Sequence, residues 1–289
     1  APFEVALLLD TSGSTRSDLA LIRRAAESFI ASLRPGDRVA IISFKTEIED
    51  NRAFAAPEIL TGLTDDRSRL KEALAQVKTS NGTPYYDALV QIAEHVFPER
   101  PKKEFQGRRA LVALTDGVDS VSVADFEEAS ELFSKSGIIS YFIQVNTRDF
   151  FEENLLGDCQ AAMRFSGAQI RRYYKLFYGK SGGERVSDFC QLGDFERLDI
   201  SRRLYGLADA EMNSMARLSG GKVFPAADLS EARSAFKKVA DEIGTKYSLG
   251  YYPSNDKRDG TYRKIKVELK GVPAGATVIA REGYTAPRN

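Results

Sequence analysis

The strongest constraint on this chain is a rhythm. Short, wholly apolar runs alternate with longer segments in which apolar residues recur every three or four positions. FEVALLL at 3–9, RVAIISF at 38–44, RALVALT at 109–115 and ISYFIQV at 139–145 have the length of strands. Between them, Leu19, Ile22, Ala26, Phe29, Ile30 and Leu33 share one helical face, and so do Leu70, Ala73, Leu74 and Val77. Further helical patterns follow Pro84 (Leu89, Ile92, Ala93, Val96), run from Ser122 to Lys135, and cover 208–218 and 230–243, with a short strand at 222–224 between the last two. Ser122 and Asp125 have capping-box spacing at the head of the 122–135 helix. A strand that is apolar on both faces must be covered on both faces. Such strands, separated by amphipathic helices, predict an α/β fold: a three-layer, doubly wound, Rossmann-like and mainly parallel sheet.

Two stretches break the rhythm. Residues 146–205 show no strand pattern and only a weak helical one. They are too long for a connection, so they read as an insertion after the fifth strand. From residue 247 the period becomes two: Ile265, Val267 and Leu269 alternate with Lys264, Lys266, Glu268 and Lys270. Strand-like segments at 247–252 and 277–281 flank that run, with turn residues at Asp259-Gly260 and Pro273-Ala-Gly275. The expected organisation is a domain over 1–246 and a small antiparallel β extension over 247–289.

The 289 residues carry 41 basic and 41 acidic side chains, which argues against a general nucleic-acid or anionic-membrane binder. No apolar run reaches the length of a membrane span. His95 is the sole histidine, so neither a His-based zinc site nor a Ser-His triad can be assembled without it.

The residues with a chemical message sit at strand ends. The first strand runs into Asp10-Thr-Ser12-Gly-Ser14, and a later one into Thr115-Asp116-Gly117; a loop between helices carries Asn81-Gly-Thr83-Pro84. In an open parallel sheet, ligands collect beyond the carboxyl ends of the strands. Asp10, Ser12, Ser14, Thr83 and Asp116 would supply two carboxylates and three hydroxyls there. A small set of hard oxygen donors suits Mg²⁺ or Mn²⁺, with Ca²⁺ also admitted, and the neutral donors would leave the ion room for a carboxylate from outside.

This arrangement resembles the metal-ion-dependent adhesion site of the von Willebrand factor type A domain, a D-x-S-x-S run completed by a Thr and an Asp from later loops. All five positions match, in the same order, and the resemblance covers roughly 3–145 and 207–245. SGGKVF at 219–224, YSLGYYP at 247–253 and REGY at 281–284 resemble a bacterial subgroup named for acidobacterial VWFA-related proteins. The resemblance implies a non-enzymatic, metal-dependent adhesion module that binds a protein partner through an exposed Asp or Glu, in an extracytoplasmic setting. Rival readings are an RNA-binding module, suggested by the basic and aromatic residues of 164–180, and a phosphohydrolase with Asp116 and Asp119 as its acidic cluster. The hydrolase lacks an acid at Ser12, where its proton donor would stand.

The insertion matches nothing in the family. It leaves from the strand-end rim, which makes Arg171, Arg172, Tyr173 and Tyr174 candidate partner contacts. It also holds both cysteines of the chain, Cys159 and Cys190, and a disulfide between them is expected to staple it.

Overall fold

The computed structural model describes residues 2–12, 19–50, 52–98, 107–155, 165–179, 188–245, 250–271, 278 and 280–286. Its centre is a six-stranded sheet ordered β3-β2-β1-β4-β5-β6. The strands are β1 (Phe3–Leu9), β2 (Arg38–Glu49), β3 (Arg52–Thr64), β4 (Arg108–Thr115), β5 (Ile139–Val145) and β6 (Lys222–Ala226). All neighbours pair parallel except β2 and β3, which form an antiparallel hairpin. The doubly wound, mainly parallel architecture expected from the sequence is the one observed.

Alternation along the strands decides which layer each side chain enters. Val5, Leu7 and Leu9 point to one face, where α1 (Leu19–Ser32), α2 (Arg67–Gln76) and α8 (Ala232–Gly244) cover them. Ala6 and Leu8 point to the other, under α3 (Tyr85–Gln91), α4 (Phe126–Ser136) and α7 (Asp194–Ser219). Full burial of a residue such as Phe29 or Phe142 is worth roughly 1.5–3 kcal/mol. Each amphipathic stripe therefore has a strong reason to lie on the sheet.

Four features differ from the sequence reading. The first is β3. Its sequence, RAFAAPEILTGLT, mixes small residues, a proline and a glycine, and most of its side chains are only half-buried, so it shows neither a clean alternation nor a continuous apolar run. Pro57 is tolerated because β3 is an edge strand. The second is the helix expected at 208–218. It begins at Asp194 and is 26 residues long, so residue 205 lies inside a helix and marks no boundary. The third is the cap of α4. The side chain that accepts from Glu128 N is that of Asp125, not Ser122. The fourth is the tail. Its antiparallel sheet is present but short, formed by β7 (Tyr262–Lys264) and β8 (Gly283–Thr285). Ile265 to Leu269 continue without strand structure, residues 246–249, 272–277 and 279 lie outside the described residues, and 250–252 form no strand.

The insertion contributes α5 (Arg148–Asn154), α6 (Gly167–Tyr178) and the first turns of α7. Phe151, Phe165, Ile170, Phe189, Ile200 and Leu204 join in a small apolar core of its own.

Candidate metal centre

Because β1 and β4 are adjacent and parallel, Asp10 and Asp116 leave the same edge of the sheet. The Asp10 N–H donates to Leu114 O at 2.9 Å, continuing the ladder to the point where the chain turns away. Beyond it both carboxylates are buried, and each is held by its own loop. Asp10 Oδ1 accepts from Ser12 N at 3.0 Å and Oδ2 from Thr115 Oγ1 at 2.7 Å. Asp116 Oδ1 accepts from Val118 N at 3.0 Å and Oδ2 from Thr147 Oγ1 at 2.6 Å. Thr147 follows β5, and its hydroxyl also lies 2.9 Å from Tyr205 OH on α7. Gly117 makes the turn at φ +75°; a Cβ there would stand 2.8 Å from Met212 Cε, so α7 closes directly onto this loop.

A third loop completes the rim. Ser80 N donates to Thr11 O at 2.8 Å, tying the loop to the end of β1. Thr83 N donates to Ser120 Oγ at 2.7 Å, and Thr83 O accepts from Ser120 N at 3.0 Å, tying it to the loop after β4. Asp119 Oδ2 accepts from Tyr85 N at 2.9 Å, so it caps the N-terminus of α3 across the two loops. Thr83 is thereby fixed between the segments that carry Asp10 and Asp116. Ser12 is buried in the same rim. Ser14 lies outside the described residues.

The electrostatics are those of two like charges enclosed in protein. Burial raises the Asp10 carboxyl above its ordinary range despite its hydrogen bonds. Burial, with added repulsion from Asp10, pushes Asp116 up to about 7. The cost of holding both as anions would be relieved by a dication between them. The donor chemistry fits one: two carboxylates and surrounding hydroxyls, all hard oxygen. Among the described residues no group of three or more His, Cys, Asp and Glu side chains is placed to hold a metal ion, so an ion here would depend on the hydroxyls and on ligands from outside.

Residues 5–118 match the family model of the von Willebrand factor type A domain. That part of the chain is similar to a von Willebrand factor type A domain. Among solved structures, it resembles a von Willebrand factor type A protein from Catenulispora acidiphila at 16% identity and a TM-score of 0.54, covering 99% of this chain and 56% of that one. It also resembles proximal thread matrix protein 1 from the mussel byssus, at 14% identity and a TM-score of 0.51, covering 84% of this chain and 46% of that one. The chain thus spans about half the length of each. A comparison with curated proteins finds no match.

The insertion corrects one expectation. Tyr173 is 1% exposed and Tyr174 4%, both in the insertion's core. Their hydroxyls donate inward, to Asp199 and Glu196 respectively. Arg172 Nη2 donates to Tyr86 OH at 2.6 Å and Glu211 Oε1 at 3.0 Å, with its guanidinium 4.8 Å from the Tyr86 ring centre. Of the four candidate contacts only Arg171 faces outward. The helix is amphipathic: Tyr173 and Tyr174 pack on α7 and offer no stacking surface for RNA, while Phe177 and Tyr178 remain exposed. Cys190 is disulfide-bonded; Cys159, the only other cysteine of the chain, lies outside the described residues.

Thr147, Tyr205 and Ser120 escaped the sequence reading, and Thr115 was named there only as part of the turn motif. Thr147 could have been found as a hydroxyl two positions past a strand end. Nothing local marks Tyr205, which reaches Thr147 across 58 residues.

Proposed function

We propose that this chain is a non-enzymatic, divalent-metal-dependent protein-binding module. Asp10, Ser12, Thr83 and Asp116, with Ser14 by its place in the motif, would hold or orient Mg²⁺ or Mn²⁺, and an Asp or Glu of the partner would complete the ion's shell. When bound, the ion supplies a positive, oxygen-seeking centre. The chain's own residues do the rest: Thr115, Thr147 and the backbone N–H groups orient the two carboxylates.

The observation that carries this reading is the burial of two carboxylates at adjacent strand ends, where the largest charge effect on Asp116 is repulsion from Asp10. A phosphohydrolase reading is weaker. Asp119, its second acid, is spent on capping α3 through Tyr85 N and on Ser122 N at 3.1 Å. The disulfide at Cys190 supports an extracytoplasmic setting, since such bonds persist in oxidising compartments. No helix among the described residues is long and apolar enough to cross a membrane.

The test is capture of partners by the immobilised domain from the native envelope or medium. Binding that survives in Mg²⁺, is lost in EDTA, and is lost for Asp10→Ala supports the reading. A partner retained equally in EDTA contradicts it.

A further inference from the structure

The metal rim has a neighbour that no sequence pattern announced. β1 and β2 last pair at Leu9 and Ser43, yet β2 runs on to Glu49 before turning into β3. Six residues of hairpin therefore stand beyond the end of the sheet, roughly 20 Å at strand rise, on the edge that carries Asp10 and Asp116. The hairpin is fixed against the rim. Thr11 Oγ1 donates to Phe44 O at 3.3 Å, and Asn81 N to Thr46 Oγ1 at 3.0 Å.

The pleat decides what this hairpin shows. Ala40, Ile42 and Phe44 point to the α3 side of the sheet. Two residues per repeat puts Thr46 and Ile48 on that same face, and the register places Ala55 and Ala53 opposite them. Below, helices cover this face. At Ile48, which is 77% exposed, nothing does. Across the gap, Gly82 lets the hairpin meet the loop after β4: a Cβ on Gly82 would stand 3.1 Å from Ala55 Cβ and 3.4 Å from Val121 Cγ1. Val121 is exposed and Val123 beside it is 97% exposed. An apolar strip thus runs from Ile48 and Ala53 through Ala55 to Val121, passing next to Thr83. Phe54 pairs with Glu47 and lies on the opposite face of the hairpin.

We infer that this strip is the specificity surface of the metal centre, and that it reads an extended segment of a partner protein in which an aromatic or branched aliphatic side chain lies two to four residues from the acidic one. This rests on the metal-binding reading above. The spacing is bounded by the path from Ile48 to Thr46, across the 3.0 Å hydrogen bond to Asn81, and on to Thr83. That path is about 16 Å, or about five residues of an extended peptide at about 3.3 Å each, and the window of two to four lies inside it. In the metal-binding reading the acid enters as a hard oxygen donor that completes the ion's shell, since the two enclosed carboxylates only balance its charge. The exposed apolar strip gains by being covered, at about 25 cal/mol per Å² removed from water. A partner with a bare acidic run would leave it wet.

The experiment uses random eleven-residue peptides with a fixed central Glu, displayed on phage, selected on the whole chain in Mg²⁺ and eluted with EDTA. The expected result is at least tenfold enrichment of Ile, Leu, Val, Phe, Tyr or Met two to four positions from the Glu. Ile48→Ser combined with Val121→Ser should keep EDTA-eluted recovery and lose most of that enrichment, while Phe54→Ser keeps both. Ile48→Ser alone, at a solvent-exposed position, should halve the enrichment or better with unchanged melting. Enrichment that is absent, or that persists in the double variant, overturns the inference while leaving the metal reading intact. Recovery indifferent to EDTA overturns the metal reading and the inference with it.

Discussion

Two pairs of acids in this protein make a contrast. Glu4 and Glu211 are buried or nearly so, and each faces arginine: Glu4 pairs with Arg38 and, at 3.1 Å, with Arg109, and Glu211 pairs with Arg172 at 3.0 Å. Asp10 and Asp116 stand at adjacent strand ends, held by hydroxyls and backbone N–H groups. The first kind is closed: its charge is balanced by the chain itself, and its role is to fix helices and strands in place. The hydrogen bonds described for the second pair come from neutral donors, and a dication would lower the cost of holding both as anions. This difference can be tested by substitution.

The largest effect should come from the closed kind. Arg172→Ala strips Glu211 of its partner inside the junction of α3, α6 and α7. Breaking a buried pair from one side costs roughly 3–5 kcal/mol. Melting should fall by the same amount in Mg²⁺ and in EDTA, because the pair balances itself. A loss seen only in EDTA would merge the two kinds of acid.

The second effect is a pH dependence of opposite character. Without metal, Asp116 has a folded pKa of about 7, above the ordinary 3.8, so the native state holds the extra proton between those values. Its contribution to stability is present at low pH and is lost as pH rises through about 7. In EDTA the domain should therefore lose melting temperature between pH 5.5 and 8. Added Mg²⁺ must displace that proton, so its stabilising shift should grow over the same interval. Melting curves at several pH values check both signs; an Mg²⁺ shift that shrinks as pH rises would count against Asp116 as a ligand.

Much of the open site was legible in the sequence, and the reason is topological. A parallel strand that is apolar on both faces can place a polar residue only at its end, so Asp10 and Asp116 stand out at the ends of FEVALLL and RALVALT. Thr83 had to come from a loop, and only the hydrogen bonds to Ser120 show how it is brought in. The closed site was misread. Arg172, Tyr173 and Tyr174 have the composition of a contact surface, but sequence does not fix which way α6 turns, and its rings went into a core. β3 was missed because an edge strand need satisfy neither face fully, and with it the hairpin beside the metal rim.

A smaller effect tests the support behind the open site. Thr147→Val keeps shape but removes the hydroxyl that donates to Asp116 Oδ2. Loss of such an orienting partner lowers metal affinity by roughly 10-fold or more, with a stability cost of about 1 kcal/mol. Titration of Mn²⁺ against the variant and the parent measures it. Equal affinity would mean that Thr147 only packs.

The central claim is that Asp10 and Asp116 are held apart for a dication. It is tested most directly by the melting temperature of the parent and of Asp116→Asn, each in EDTA and in excess Mg²⁺ at pH 7.5. The account predicts that Mg²⁺ raises the melting temperature of the parent. It predicts also that Asp116→Asn, freed of the repulsion, melts no lower than the parent in EDTA and shows no shift with Mg²⁺. A parent indifferent to Mg²⁺ and Mn²⁺, or a variant that shifts as the parent does, would contradict it.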